Sequence, residues 1–221
     1  FFSFHGSTCC NMGDDEGVEY TFKVIVIGHS GAGKTSIINR YANNKYTGDY
    51  KVTMGLDFEI KKIVWDDKSD VQVQLWDLGG QDRFKGLTRV YYQNAVGAIM
   101  VFDCTNEESM IQTKGWKADL DSKVTWNGKP IPVVLFANKI DQPVGEFMKD
   151  RSVLDDLCDE HGFIGWYETS AKDDIGIGQG VMSLISEIMK LGIQQQKRDE
   201  NVIQIRAKPK PSEPQQTGCP C

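Results

Sequence analysis

No stretch of the chain approaches the roughly 18 consecutive apolar residues that a membrane span requires. Its first residues, "FFSFHGSTCC", lack the basic start and apolar core of a secretory signal, so the folded part is expected inside the cell. Cysteine is scarce: six in 221 residues, at 9, 10, 104, 158, 219 and 221, with close pairs toward the two termini and no spaced framework. Disulfide stapling is thereby excluded as an organising device, and Cys104 and Cys158 are expected to behave as small buried hydrophobes. A surplus of positive charge is also missing. The formal charge of −6 argues against bulk binding to nucleic acid. The chain has no internal repeat.

What is present, 40% hydrophobic and 25% charged residues, is the composition of a water-soluble globular chain, and the length suits one domain with tails. Met12 is the expected start, which makes residues 1–11 extraneous and 1–18 an N-terminal extension.

Residues 20–27, "YTFKVIVI", form a β-rich run with an almost continuous apolar end, as expected for a strand buried on both faces. Further strands are expected at 57–65, 71–77, 96–103, 131–137 and 165–169, and helices near 33–43, 81–93, 106–122, 147–161 and 176–191. After the hairpin of 57–77, strands and helices alternate. This order predicts an α/β fold of three layers, a mostly parallel six-stranded sheet with helices on both faces. Ligands bind such sheets at the carboxyl ends of the strands. The domain is placed at 19–191. From 192 the run "GIQQQKRDENVIQIRAKPKPSEPQQTGCPC" has no sustained periodicity and reads as a flexible tail.

Residues 28–35, "GHSGAGKT", follow the first strand and open a helix, matching G-x-x-x-x-G-K-[ST] in the context that gives this pattern meaning. The glycines let the backbone wrap an anion, so that N–H groups along Ser30, Gly31, Ala32, Gly33, Lys34, Thr35 and Ser36 and the helix N-terminus point at a phosphate. Lys34 can bridge β- and γ-phosphates, and Thr35 offers a hydroxyl to Mg²⁺. The side chains of His29 and Ser30 are spacers pointing outward.

Base identity rests on "NKID" at 138–141, after the apolar run "PVVLFA". Asp141 can accept two hydrogen bonds from the N1–H and amino group of guanine, whereas adenine would leave that carboxylate unpaired, a mismatch worth roughly 10⁴-fold. This opposes a P-loop ATPase or kinase. Asn138 can hold the loop and contact N7, and the Lys139 stem can cover the base plane. "TSAK" at 169–172 brings the Ala171 N–H, flanked by Ser170 and Lys172, to guanine O6.

In their order and spacing, "GHSGAGKT", "YKVTMGLDF", "WDLGGQDRF", "NKID" and "TSAK" resemble the Ras-like small GTPases of the P-loop NTPase class. Within these, "MGLDF", "VQLW", "RFKGL", "VYYQNA" and the final "CPC" resemble the Rab family, over residues 19–191 and the last three. "WKADLDSKV" and "HGFIGWYETSAKD" are similar to the Rab subgroup associated with melanosomes, other lysosome-related organelles and mitochondria.

The resemblance implies a switch that binds GTP and GDP, hydrolyses GTP slowly and regulates vesicle trafficking through effectors. Thr53 would ligate Mg²⁺ and touch the γ-phosphate, Asp77 would hold Mg²⁺ through water, and Gly80 would donate its N–H to the γ-phosphate. Gln81 would orient the attacking water, making Gln81 and Lys34 the catalytic pair. Tyr46 would lie against the guanine edge, and Tyr50 in the loop over the phosphates. Phe58, Trp76 and Tyr91 match the aromatic trio read by effectors; packing in the core is the competing reading for all three. No arginine stands in cis, so an activating protein is expected to supply one. An exchange factor, an escort protein and a GDP-dissociation inhibitor complete the implied partners.

Cys219 and Cys221 fit no C-a-a-X box but resemble a doubly geranylgeranylated C-x-C end, two lipids being what firm anchoring takes. Lys197, Arg198, Arg206, Lys208 and Lys210 add attraction to anionic lipid. The expected location is the cytoplasmic face of endolysosomal, lysosome-related or mitochondrial membranes, in exchange with the cytosol. Two alternatives remain: a non-hydrolysing GTP-binding scaffold, and an Arf-like GTPase, prompted by Gly79 where Rab proteins usually carry Ala.

Overall fold

The computed structural model describes residues 18–49, 53, 56–79, 91–126 and 128–196. Tyr50, Gly80, Gln81, Cys219 and Cys221 lie outside the described residues, as does the helix expected near 81–93 except for Tyr91 and Tyr92, both helical, and Gln93, already in a turn.

The elements in chain order are β1 (Val18–Gly28), α1 (Lys34–Asn43), β2 (Leu56–Asp66), β3 (Ser69–Leu78), β4 (Gly97–Asp103), α2 (Glu107–Lys123), β5 (Thr125–Trp126), β6 (Lys129–Pro130) and β7 (Val133–Asn138). A 3₁₀ turn at Glu146–Met148, α3 (Ser152–His161), β8 (Trp166–Thr169) and α4 (Ile177–Gln196) follow. Six strands form one sheet in the order β2-β3-β1-β4-β7-β8. Within this sheet only the β2–β3 pair is antiparallel; β1 pairs in parallel with β3 and β4, and β7 with β4 and β8. Strands 5 and 6 make a small separate hairpin that periodicity did not announce, because two-residue strands carry no period.

Alternate residues of β1 enter two different cores. Val24 and Val26 face Ile37, Ile99, Val101, Leu184 and Ile188, the side covered by α1 and α4. Ile25 and Ile27 face Met100, Phe102, Leu120, Leu135 and Leu154, the side covered by α2 and α3. Both faces are dry, so the central strands β4 and β7 are buried at every position and need no polar alternation. Each such aliphatic side chain contributes about 1.5–3 kcal/mol by its burial. Cys104 and Cys158 are both buried, as their isolation implied.

Of the boundaries that differ from expectation, three have a local cause. The segment expected as one helix over 147–161 is a 3₁₀ turn followed by α3 from Ser152, separated where Asp150 Oδ1 accepts the Ser152 N–H at 2.9 Å and starts the helix afresh. Helix α4 runs to Gln196, past 191, because "GIQQQ" contains no proline and its single glycine costs a helix only about 1 kcal/mol. Strand β1 begins at Val18, where the Val18 N–H donates to Lys68 O at 2.8 Å. Among the described residues no helix is long and apolar enough to cross a membrane.

Candidate functional site

The carboxyl ends of the parallel strands and the start of α1 enclose a cleft of about 530 Å³. Its floor is the turn between β1 and α1. Gly28 leaves the strand at φ +138, where a Cβ would overlap the Val101 carbonyl of β4. Gly33, at φ +96, precedes α1 without a side-chain cap, and the first helical turn has no acid. The N–H groups of a ten-residue helix therefore open into the cleft uncompensated, which is an anion site. A Cβ on Gly33 would strike Asn138 Nδ2, so the same position admits the turn and the approach of the base loop.

Lys34 is buried, and its ammonium donates to Gly28 O at 3.1 Å and His29 O at 3.0 Å. Burial pulls its pKa down to about 8, against the opposing pull of the Asp77 charge. Beside it three oxygens converge from distant parts of the chain. Thr35 Oγ1 is 2.8 Å from Thr53 Oγ1 and donates to Asp77 Oδ2; Thr53 Oγ1 donates to the same oxygen at 3.5 Å. Burial raises the Asp77 pKa, offset by the Thr35 hydrogen bond and the Lys34 charge. Among the described residues Asp77 Oδ1 is buried without a partner. Two hydroxyls and one carboxylate with an unused oxygen form a hard, oxygen-only donor set that fits Mg²⁺, an ion that completes its shell with water and phosphate oxygens.

At the opposite end lies the base loop. The Asp141 side chain is only 7% exposed; its Oδ1 accepts the Ser170 hydroxyl at 2.8 Å, and Lys172 Nζ lies 4.0 Å from Oδ2. Asn138 Nδ2 donates to Ala32 O at 2.8 Å, and its Oδ1 accepts from Thr169 Oγ1 at 3.2 Å. One amide thus ties the phosphate turn to the strand preceding Ser170. Lys139 stands at φ +71 with its ammonium 2.6 Å from Asp103 Oδ2.

The cleft brings together Ser30, Gly31, Gly33, Lys34, Thr35, Ser36, Tyr46, Thr53, Asn138, Lys139, Asp141, Ala171 and Lys172. Ala32 and Ser170 are buried behind its wall, and Asp77 lies beneath its floor at the Thr35 hydroxyl. Phe58, Trp76 and Tyr91 do not line it. Phe58 is 48% exposed, which removes the core reading for that residue. It stacks on Trp76 with centroids 5.1 Å apart, across the antiparallel β2–β3 pair. Trp76 is half-buried and also packs against the α2–α3 core, while Lys23 Nζ sits 4.1 Å above its ring. Tyr91 is half-buried, and its neighbour Tyr92 is the one sealed inside.

Motif reading missed two side chains. Asp103 ends β4 and is legible only from the rule that polar residues closing parallel strands face the ligand. Arg40 lies in the last turn of α1 and belongs to no motif.

A family model described as the Ras family matches residues 23–190. The chain is 45% identical over 214 residues to Ras-related protein Rab-32A of Dictyostelium discoideum, covering 96% of this chain and 98% of the relative. It is 49% identical over 172 residues to Ras-related protein Rab-32 of Homo sapiens, covering 77% and 76% respectively. It is 38% identical over 197 residues to Ras-related protein Rab-7L1 of Rattus norvegicus, covering 87% and 96%.

Proposed function

This chain belongs to the Ras family, and within it to the Rab GTPases, GTP-binding and GTP-hydrolysing switches of membrane trafficking that work with regulators and effectors; from that premise we propose how its own residues divide the work. The observation that carries the reading is the Asp141 carboxylate, enclosed at one end of a cleft whose other end is the Lys34 turn. Asp141 reads the N1–H and amino group of guanine, the Ala171 N–H reads O6, and Asn138 holds the two loops in register. Tyr46 packs on the edge of the base.

At the phosphate end, Lys34 exchanges its two carbonyl partners for β- and γ-phosphate oxygens, and the backbone N–H groups from Ser30 to Ser36 hold the rest. Thr35, Thr53 and Asp77 would hold Mg²⁺. When bound, that ion neutralises charge building on the β/γ oxygens. Gly80 donates its N–H to the γ-phosphate. Gln81 orients the attacking water. Among the described residues no arginine lines the cleft; intrinsic hydrolysis is slow, and an activating partner that brings an arginine accelerates it by on the order of 10³–10⁵; a relative of this protein is the source of that general figure. Loss of the γ-phosphate releases Thr53 and Gly80, and with them the surface at Phe58, Trp76 and Tyr91 that effectors read.

An exchange factor resets the switch. Geranylgeranyl groups on Cys219 and Cys221, added with an escort protein and extracted by a GDP-dissociation inhibitor, place it on endolysosomal, lysosome-related or mitochondrial membranes. Equilibrium binding of GTP, GDP and ATP with Mg²⁺, followed by single-turnover hydrolysis with an activator, tests the reading. GTP and GDP should bind far more tightly than ATP, and cleavage should follow; equal affinity for ATP removes the role of Asp141.

A further inference from the structure

The Arg40 guanidinium joins three segments that are far apart in sequence. Its Nε donates to Ala171 O at 2.8 Å and its Nη2 to Lys172 O at 3.0 Å. Its Nη1 donates to Asn44 Oδ1 at 3.0 Å and Asn44 O at 3.3 Å. Asn44 ends α1 in the left-handed region, its own N–H returning to Arg40 O at 2.9 Å, and the residues that follow, beginning with Lys45 and Tyr46, line the cleft.

We propose that Arg40 is a positioning residue for base recognition, gripping the consecutive carbonyls of Ala171 and Lys172 so that the Ala171 N–H is presented to guanine O6. The inference rests on the guanine reading given above. Ala171 is anchored on its other side by Ser170, whose hydroxyl bonds Asp141 and whose backbone exchanges hydrogen bonds with Ile175, both at 3.1 Å. Ala171 is also buried in the core, but the carbonyls of Ala171 and Lys172 take their side-chain hydrogen bonds from Arg40. A planar fork suits the task because two adjacent carbonyls accept from two different nitrogens of one rigid group, which a lysine ammonium cannot reproduce in the same geometry. The same group couples the base loop to the end of α1, where the chain enters the wall of the cleft.

The test compares GDP with 6-thioguanosine 5′-diphosphate, which keeps the phosphates, the N1–H and the 2-amino group but carries sulfur, a poor acceptor, in place of O6, on the full chain with Mg²⁺. Wild-type protein should prefer GDP. Arg40→Ala should weaken GDP by about tenfold, the scale of one or two hydrogen bonds, while changing the analogue by less than about twofold, so the preference shrinks. Inosine diphosphate, which keeps O6, should lose as much as GDP does. A merely structural role predicts equal losses for all three nucleotides, and that result overturns the inference alone. Wild-type protein indifferent to O6 overturns the guanine reading of Ala171 and the inference with it. Should Arg40→Ala not fold, Arg40→Lys carries the same comparison, with a loss of about threefold confined to nucleotides that have O6.

Discussion

Lys139 Nζ and Asp103 Oδ2 are 2.6 Å apart, joining the loop after β7 to the end of β4. Asp103 is itself held, its Oδ1 accepting from the Thr105 N–H at 2.9 Å and the Thr105 hydroxyl at 2.7 Å. Lys139 occupies left-handed backbone at φ +71, a conformation unfavourable by roughly 1–2 kcal/mol for such a residue. The ion pair is one of the contacts that hold it there. Asp103→Asn keeps the shape and removes the charge. GDP should dissociate about tenfold faster from the variant, the scale of a charge-assisted hydrogen bond, measured by displacement of a fluorescent GDP. An unchanged rate would mean the pair does not position Lys139 for nucleotide.

Thr35→Asn removes the hydroxyl shared by Thr53 and Asp77. In Mg²⁺ its GTP affinity should fall at least about tenfold, while in excess chelator it should approach that of wild type, because only the metal-dependent part of binding is lost. A variant that keeps its full response to Mg²⁺ would take Thr35 out of the donor set.

Gln81→Leu should slow single-turnover GTP hydrolysis by at least about tenfold, with GTP and GDP affinity changed by less than about twofold, because water orientation is a transition-state task and not a binding one. Equal hydrolysis rates for the two proteins would leave Gln81 without that role.

Two helical glycines should respond in opposite senses. Gly115 lies exposed in the middle of α2 with open space where a Cβ would stand, so Gly115→Ala should stabilise the fold by about 0.5–1 kcal/mol through helix propensity. On α4, a Cβ at Gly180 would enter the Phe136 ring and crowd Tyr167. Gly180→Ala should therefore destabilise by about 1–3 kcal/mol. Denaturant unfolding of both variants decides it, and a stabilising Gly180→Ala would contradict the packing described.

Burial pushes the Cys104 thiol up to about 12, with the Asp103 charge adding to the effect. Burial pushes Cys158 up to about 11, helped by Asp155 and Asp159. Both folded values exceed the ordinary 9.0. The stability tied to keeping these thiols neutral is therefore complete below pH 9 and declines as pH rises from there through about 11 and 12. Peptide-resolved alkylation at pH 8 should leave both unmodified in folded protein and label both after unfolding. Rapid labelling of Cys104 in the folded state would contradict its burial.

The central strands were legible because each is a short, uninterrupted apolar run, and runs such as "VIVI" and "PVVLFA" admit little else once turn residues bound them. Helix α2 carried a weaker signal, since its buried stripe includes Thr113 and Lys117. Lys117 is buried with its ammonium 2.6 Å from Asp121, a pairing that no pattern of apolar residues encodes. The end of α4 and the break before α3 are not encoded in apolar periodicity for a common reason: helix ends depend on competing hydrogen bonds worth about 1 kcal/mol each.

By itself the sequence determined the phosphate turn, because "GHSGAGKT" contains within eight residues the glycines, the lysine and the helix start that its geometry requires. It also determined that acids and amides would close the parallel strands at Asp77 and Asn138. The tertiary structure alone decided what those groups touch. Thr35 meets Thr53 across 18 positions and Asp77 across 42, and Arg40 reaches Ala171 across 131. Local sequence specifies backbone conformation, whereas side-chain convergence depends on strand order, and the order β3-β1-β4-β7-β8 is set by which faces two separate cores must bury.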